Sequence, residues 1–315
     1  MVKMFVLVLK RNEIEQVILE IGKLWHVDNE NSQQNEEMNF WIRPLFGTVT
    51  LTIMVFTLVP LAITIYGCYT KNEAEYKFIL EMYFFNQIDS HFKYLMAIVF
   101  QIVMCILCQM CIAVPCDYLL LDLSCDLAAL IRMVQIDLLS LKGTANLENL
   151  NIGDVNSEDI KSIVKKHQIL LSLTERLNNI FKEVIFSQVY LSSVVICCYL
   201  FTAMFQMSKY GVVSSLGDLV ASMDILAKTF VLAVPGQIIA DMSSGVADAA
   251  YQSLWYERSN KFRKFIAILI ARAQKPSYLS ALGFSNLSLV MFSKVASTSW
   301  SYLSLLNQMS ENFDV

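Results

Sequence analysis

The chain is organised around LSLVMFSKVASTSWSYLSLLNQM, residues 287–309, and around the charged segment that leads into it. This stretch of 23 residues carries one charge, Lys294. An apolar helix needs about 20 residues to cross a bilayer. The sequence therefore predicts that the chain ends in a membrane-spanning helix.

The preceding segment, VADAAYQSLWYERSNKFRKFIAILIARAQKP (residues 246–276), has the pattern of an amphipathic helix. Basic and large apolar side chains alternate in it at helical spacing, which gives one wet face and one apolar face. The basic residues that alternate in this way are Lys261, Arg263, Lys264 and Arg272, and the apolar residues among them are Phe262, Phe265, Ile266, Leu269 and Ile270.

Small polar side chains form a stripe along the predicted last helix. At about 100° per residue they fall within one narrow arc. The members are Ser293, Ser297, Ser301, Ser304 and Gln308. Small residues let membrane helices approach closely, so the stripe is either a packing seam or the wall of a water path.

Composition indicates a membrane protein and argues against nucleic-acid binding. Of the 315 residues 56% are hydrophobic and 17% charged, and the mean hydropathy is +0.50, which is too apolar for an ordinary soluble domain of this length. The net charge is −4, and the aromatic residues sit in apolar runs and are not interleaved with basic residues in the manner of a protein that binds nucleic-acid strands.

The cysteines and histidines do not form a pattern typical of a metal site or a catalytic site. Cys105, Cys108, Cys111 and Cys116 lie in or at the end of one apolar run, and no histidine or acid lies between them. The three histidines are scattered along the chain. We therefore expect no cofactor, no metal and no enzymatic activity.

Apolar runs predict five membrane spans. Three runs are free of charges: Pro44 to Thr70, Tyr94 to Cys116, and Val184 to Ser208. A weaker run between Lys228 and Asp241 is interrupted by a proline and a glycine, and the fifth span is the last helix. Helical patterns also extend over residues 117–134 and 159–183, outside the spans, and residues 143–158 are turn-rich and polar.

Basic residues orient these spans. Residues 1–43, 117–183 and 243–285 hold 18 lysines and arginines, whereas the alternate segments 68–93 and 209–228 hold five. Basic residues are enriched in cytoplasmic segments. This asymmetry predicts a cytoplasmic N-terminus and an extracellular C-terminus.

Two blocks of the sequence resemble the insect odorant receptor family. VADAAYQSLWYE, KFRKFIAILIARAQKP and FSKVASTSWSYLSLLNQM follow each other as in the family's C-terminal signature, and residues 164–200 are similar to its fifth-helix region, with His167, Gln188 and Cys197 at expected positions. The resemblance implies an all-α, polytopic membrane helical bundle with long cytoplasmic helical extensions.

The family has seven helices with inverted topology, and the resemblance implies that this chain starts at the end of the second. Residues 1–242 would be the membrane bundle that forms the ligand-binding part. Residues 243–315 would supply cytoplasmic anchor helices and the pore-lining last helix.

The function implied by the resemblance is an odorant-gated, non-selective cation channel in the cell membrane of olfactory sensory neurons. It would form a hetero-tetramer with a common co-receptor subunit and bind small volatile apolar ligands. The implied pore and gate residues are Ser297, Ser301, Ser304, Leu305, Gln308 and Met309. Candidates for the ligand pocket are Val59, Ile63, Phe100, Val103 and Phe230. Candidates for the subunit anchor are Trp255, Tyr256, Phe262, Phe265, Ile266 and Leu269.

Three other classes of membrane protein share part of this sequence pattern. The sister gustatory receptors share the channel plan, and their terminal signature is echoed by Ser301-Tyr302, five residues and Gln308-Met309. A G-protein-coupled receptor would place its N-terminus outside, against the charge asymmetry. A transporter is typically built from broken helices in symmetric halves, and Pro235-Gly236 is the only such interruption.

Overall fold

The computed structural model describes residues 2–25, 114–141, 155–253, 255–257 and 260–313, together with seven isolated helical positions between 96 and 107. Two short helices begin the chain, α1 (Val2–Leu9) and α2 (Arg11–Trp25). Three long helices follow: α3 (Val114–Ser140), α4 (Val155–Tyr210) and α5 (Val212–Tyr251).

The C-terminal part combines helices with a small hairpin. A 3₁₀ turn (Trp255–Glu257) leads into α6 (Asn260–Ala273), which is followed by strands β1 (Ser280–Ala281) and β2 (Ser285–Asn286) and by α7 (Leu289–Phe313). The sequence pattern predicted one amphipathic helix running into the last one. The structure corrects this, because a break after Tyr251 and an antiparallel hairpin separate the helices.

The mostly helical bundle confirms the predicted fold class. Helix α4 is one element of 56 residues. It contains both the helical pattern predicted at 159–183 and the charge-free run that follows it. At 1.5 Å per residue it is about 84 Å long, whereas a hydrocarbon core is about 30 Å thick. Most of α4 therefore lies outside a bilayer, as the predicted helical extension requires.

Helix α5 corrects the interpretation of two segments. Residues 209–228 were predicted to connect spans, but all of them from Val212 onward are helical. Pro235, which made the local geometry doubtful, lies inside the helix without ending it. Membrane helices tolerate proline when neighbouring groups satisfy the freed backbone.

Two stretches of the described residues are long and apolar enough to cross a membrane, one in α4 (160–209) and one in α5 (215–251). Only 28% of the most apolar part of the α4 stretch is buried within the chain. Its remaining apolar surface needs a bilayer or another subunit as its environment.

Two compact units divide the chain. The first comprises residues 1–39, 119–188 and 232–292, and the second comprises residues 40–118, 189–231 and 293–315. The predicted functional boundary at residue 242 stays a prediction.

The first unit is held by a helical core and by polar ties. Its largest fully buried side chains come from α3 and α4 and include Leu127, Leu130, Leu138, Leu170, Leu173, Leu177 and Phe181. Helix α2 is tied to α4 by the ion pair of Arg176 Nη1 with Glu20 Oε1 at 2.8 Å. Gln135 Nε2 of α3 donates a hydrogen bond of 2.6 Å to the Met242 carbonyl of α5.

Candidate functional site

Helix α7 has a buried face built from residues four apart. Within the second unit, Val295, Ser299 and Leu303 are buried. A spacing of four residues keeps side chains on one side of a helix. This face, and not the predicted polar stripe, is the packing seam of α7 within the chain.

Polar contacts attach this face to α4. Ser299 Oγ lies 2.9 Å from the Val295 carbonyl oxygen of its own helix and 3.1 Å from the Ser193 carbonyl oxygen of α4, and these two acceptors share its one hydroxyl hydrogen. Further along, Asn307 Nδ2 lies 3.4 Å from Met204 Sδ. Because both contacts advance in the same chain direction, α4 and α7 run parallel here.

The polar stripe lies on the opposite side of α7. Every one of its members is exposed: Ser293, Ser297, Ser301, Ser304 and Gln308. At about 100° per residue, Ser297 and Ser301 are each about 160° from Ser299 around the helix axis. The Ser301 hydroxyl donates to the Ser297 carbonyl at 3.0 Å, so it is satisfied inside the helix.

The predicted gate position is also accessible. Leu305 is 55% exposed, whereas its neighbour Leu306 is half-buried and Leu303 is buried. Met309 belongs to α7. Both the polar stripe and Leu305 are therefore exposed on α7 of the single chain.

The pocket candidates are placed only in part. Phe100 and Val103 occupy helical positions three residues apart, and Phe230 lies on α5. All three are exposed and belong to the second unit. Val59 and Ile63 lie outside the described residues. The assignment of these residues to a ligand pocket stays a prediction.

An ion pair in the second unit went unnoticed in the sequence. Lys228 Nζ lies 2.6 Å from Asp224 Oδ2, one helical turn away on α5, and Asp224 is 8% exposed. The spacing of four residues was the available signal. Lys228 was interpreted as the end of a connecting segment, so the pair was not considered.

The anchor candidates divide into buried and accessible side chains. Phe262, Ile266 and Leu269 of α6 are buried inside the first unit. Phe265 and Trp255 are half-buried, and Tyr256 is exposed. The three buried side chains already pack within their own chain, so Tyr256 is the member of the set most available to a neighbouring subunit.

Among the titratable groups of the first unit, His167 and Asp126 have strongly shifted pKa values. Burial, with a contribution from the cation of Arg272, lowers the pKa of His167 to about 4. Burial and then the nearby Asp122 carboxylate raise the pKa of Asp126 to about 6. Both shifts disfavour charge in the interior. In the part of the chain that the structure describes, no three histidine, cysteine or acidic side chains are grouped as metal ligands.

Comparison with known proteins identifies a family. The model of the 7tm Odorant receptor family matches residues 1–300. Odorant receptor 49a of Drosophila melanogaster is 30% identical over 152 residues, which are 48% of this chain and 38% of that receptor. Putative odorant receptor 85d of the same organism is 30% identical over 189 residues, 59% of this chain and 45% of that protein. The chain thus matches less than half the length of these relatives.

Solved structures share the fold. The insect olfactory receptor OR5 from Machilis hrabei superposes with a TM-score of 0.73 at 15% identity, over 98% of this chain and 77% of the receptor. Its complex with eugenol gives a TM-score of 0.72 at 16% identity, over 94% and 70% of the two chains.

Proposed function

Because the chain belongs to the 7tm odorant receptor family, a family of membrane receptors and not of enzymes, we propose that it is a subunit of an odorant-gated cation channel. The channel is non-selective among cations and forms as a hetero-tetramer with a common co-receptor subunit. It lies in the cell membrane of olfactory sensory neurons, with the N-terminus in the cytoplasm and the C-terminus outside.

The polar stripe of α7 carries this proposal. A row of serines and a glutamine on the side of a helix opposite its packing face is left uncovered by the chain itself. In a bilayer, polar side chains turn towards protein or water and away from lipid. A pore shared by several subunits supplies such a water-filled space.

Leu305 would close this pore. Together with the apolar side chains that the other subunits place at the same height, it would form a ring from which water withdraws, and a hydrated cation does not pass a dewetted ring. Gln308 lies about one turn further out, where its amide oxygen faces a permeating ion. Ligand binding would open the ring by moving α7.

The ligand would be a small volatile apolar molecule. The solved olfactory receptor OR5 was determined with eugenol, a compound of this kind. Pockets for such ligands are mostly hydrophobic, and their affinity comes from burial of apolar surface. Candidate lining residues are Val59, Ile63, Phe100, Val103 and Phe230.

Cysteine accessibility tests the pore assignment with a matched pair. Ser301→Cys lies on the exposed stripe, and Ser299→Cys lies on the face that contacts α4. In the receptor expressed with its co-receptor, a charged methanethiosulfonate reagent applied during odorant stimulation should block current in Ser301→Cys. The Ser299→Cys channel should respond as wild type.

Equal block in both variants, or no block in either, would remove the stripe from the pore. Current evoked by sugars or bitter compounds but not by volatile ligands would favour a gustatory-type receptor, which shares the channel plan. A response that requires G-protein signalling, without ligand-gated current, would favour the G-protein-coupled alternative. Net substrate uptake without ligand-gated current would favour a transporter.

A further inference from the structure

The hairpin between α6 and α7 turns sharply. Ser280 pairs with Asn286 and Ala281 with Ser285 in antiparallel register. The Phe284 N–H donates to the Ala281 carbonyl at 2.9 Å. At the turn, Leu282 and Gly283 have φ values of 51° and 81°. Glycine accepts such angles easily, but a leucine rarely adopts them.

Side chains of the hairpin separate into a buried set and an exposed set. Leu279, Ala281 and Leu287 are fully buried in the first unit. Leu282 is 41% exposed and Phe284 is 81% exposed, and we call residues 282–284 the hairpin tip. Leu289 and Val290, at the start of α7, are also exposed.

Polar contacts fix the hairpin on the first unit. Asn178 Oδ1 of α4 accepts hydrogen bonds from the Ser280 N–H at 2.7 Å and from the Ser280 hydroxyl at 3.3 Å. Behind it, the Leu289 N–H donates to Gln237 Oε1 at 3.4 Å. The hairpin tip is therefore held at a defined height along α4.

That height is the beginning of the membrane span that the sequence predicts. The ring centroids of Phe284 and Phe186 are 5.5 Å apart, within the range of favourable aromatic pairs. Phe186 is the third residue of the charge-free run that starts at Val184. Lys182 lies one turn earlier on the same side of α4. Lysines commonly flank the ends of membrane spans, and aromatic rings are enriched at the membrane–water interface.

From these contacts we propose that the hairpin tip inserts Leu282 and Phe284 into the interfacial layer of the bilayer beside the start of the α4 span. Asparagine or glycine would satisfy the turn at position 282 without an exposed apolar group. A leucine held at φ 51° indicates that the side chain itself is needed. The membrane explains the exposed leucine, the exposed phenylalanine and the ring contact together.

The inference uses only the membrane location of the family and does not depend on odorant binding or ion conduction. In this proposal the hairpin tip contacts phospholipid. This contact with the membrane is additional to the spanning helices. A tip of this kind would hold the start of α7 at a fixed depth.

Photo-crosslinking in the membrane tests the proposal. The amino acid p-benzoylphenylalanine replaces Phe284 in the receptor expressed in cells, and the membranes are irradiated before the protein is purified. Mass spectrometry should find a phospholipid adduct at position 284. The control position is Lys264, exposed on the wet face of α6, where we expect at least a fivefold lower yield of lipid adduct.

The same amino acid placed at position 282 in a second variant should also give a phospholipid adduct. The test then does not depend on a single substitution. Crosslinking of either position to another subunit, seen as a dimer band, would overturn the proposal and make the tip a subunit contact. Absence of lipid adducts from both positions in receptor that reaches the cell surface would show that the tip lies in water, which also overturns it.

Discussion

At the scale of single residues, Leu305 and Leu306 form a natural comparison on α7. They are neighbours with the same side chain, but they point about 100° apart. Leu305 is exposed and Leu306 is half-buried. If Leu305 forms the apolar ring, Leu305→Ser should lower the dewetting barrier and raise current without ligand, because a polar ring stays wet.

Whole-cell recording from cells that express the receptor with its co-receptor measures this basal current. Leu306→Ser should affect packing and surface expression more than conduction. Gln308→Lys should reduce cation permeation, since an added positive charge at the pore repels cations. Unchanged basal current and selectivity in all three variants that reach the surface would contradict the gate assignment.

His167 makes stability of the first unit depend on pH. Its side chain is 3% exposed, neither ring nitrogen has a hydrogen-bond partner among the described residues, and its pKa falls from 6.5 to about 4 on folding. The unfolded state then binds more protons between these values, so stability is complete above pH 6.5 and is lost as the pH falls towards 4.

At pH 5 the loss from His167 alone amounts to about 2 kcal/mol, from 1.36 kcal/mol for each pKa unit, and Asp126, whose pKa is raised to about 6, opposes part of it. Thermal unfolding of detergent-solubilised wild type and His167→Phe at pH 7.5 and pH 5 measures the His167 part as the difference between the two proteins. His167→Phe should lose less stability than wild type on going to pH 5, because the side chain no longer takes up a proton. An equally steep dependence in that variant would assign the effect to other groups.

At the scale of secondary-structure elements, two glycines of α5 provide a matched pair. A Cβ at Gly236 would overlap the Leu287 carbonyl oxygen and lie 2.8 Å from Leu287 Cβ, whereas a Cβ at Gly217 would meet no atom within 4 Å. Gly236→Ala should therefore cost about 1–3 kcal/mol through overpacking. Gly217→Ala should gain up to about 1 kcal/mol from helix propensity.

Thermal unfolding of the two variants in detergent compares these effects. The expected order of melting temperatures is Gly217→Ala, wild type, Gly236→Ala. Equal melting temperatures for both variants would mean that the residues around Leu287 yield without cost, and that the close approach of Leu287 to α5 does not limit stability.

Some of these elements could be predicted from sequence patterns and others could not. Charge-free runs and helical periodicity predicted the cores of α4 and α7, because both patterns extend over many turns. The hairpin was missed because strands of two residues, Ser280–Ala281 and Ser285–Asn286, are too short to show an alternating pattern. The helix through Pro235 was uncertain because tertiary contacts, which a local pattern does not contain, decide whether a proline is tolerated.

For the candidate site, periodicity alone placed the serines of α7 on one arc. It did not decide which side of α7 packs inside the chain, since small polar residues suit a packing seam as well as a wet surface. The buried Ser299, bonded to the Ser193 carbonyl, resolves this choice for the single chain. Periodicity also does not say what an apolar helix face packs against. The apolar residues of α6 were therefore predicted to contact another subunit, whereas Leu269 is buried in its own chain.

At the scale of the whole molecule, the distribution of basic residues bears on topology. Segments predicted to be cytoplasmic hold 18 lysines and arginines, and the alternate segments hold five. Two of those five lie inside helices, Lys209 in the last turn of α4 and Lys228 in α5, where it is paired with Asp224. The asymmetry in the count favours a cytoplasmic N-terminus.

Epitope tags test this orientation. A tag after Val315 should bind antibody on intact cells, because α7 is predicted to end outside, whereas a tag between residues 145 and 155 should bind only after permeabilisation. The internal tag lies in a polar, turn-rich segment, where insertions are best tolerated. Surface biotinylation of both tagged proteins controls for delivery to the membrane. The reverse pattern of accessibility would place the N-terminus outside, which is the orientation of a G-protein-coupled receptor, and would contradict the inverted topology on which the proposed pore depends.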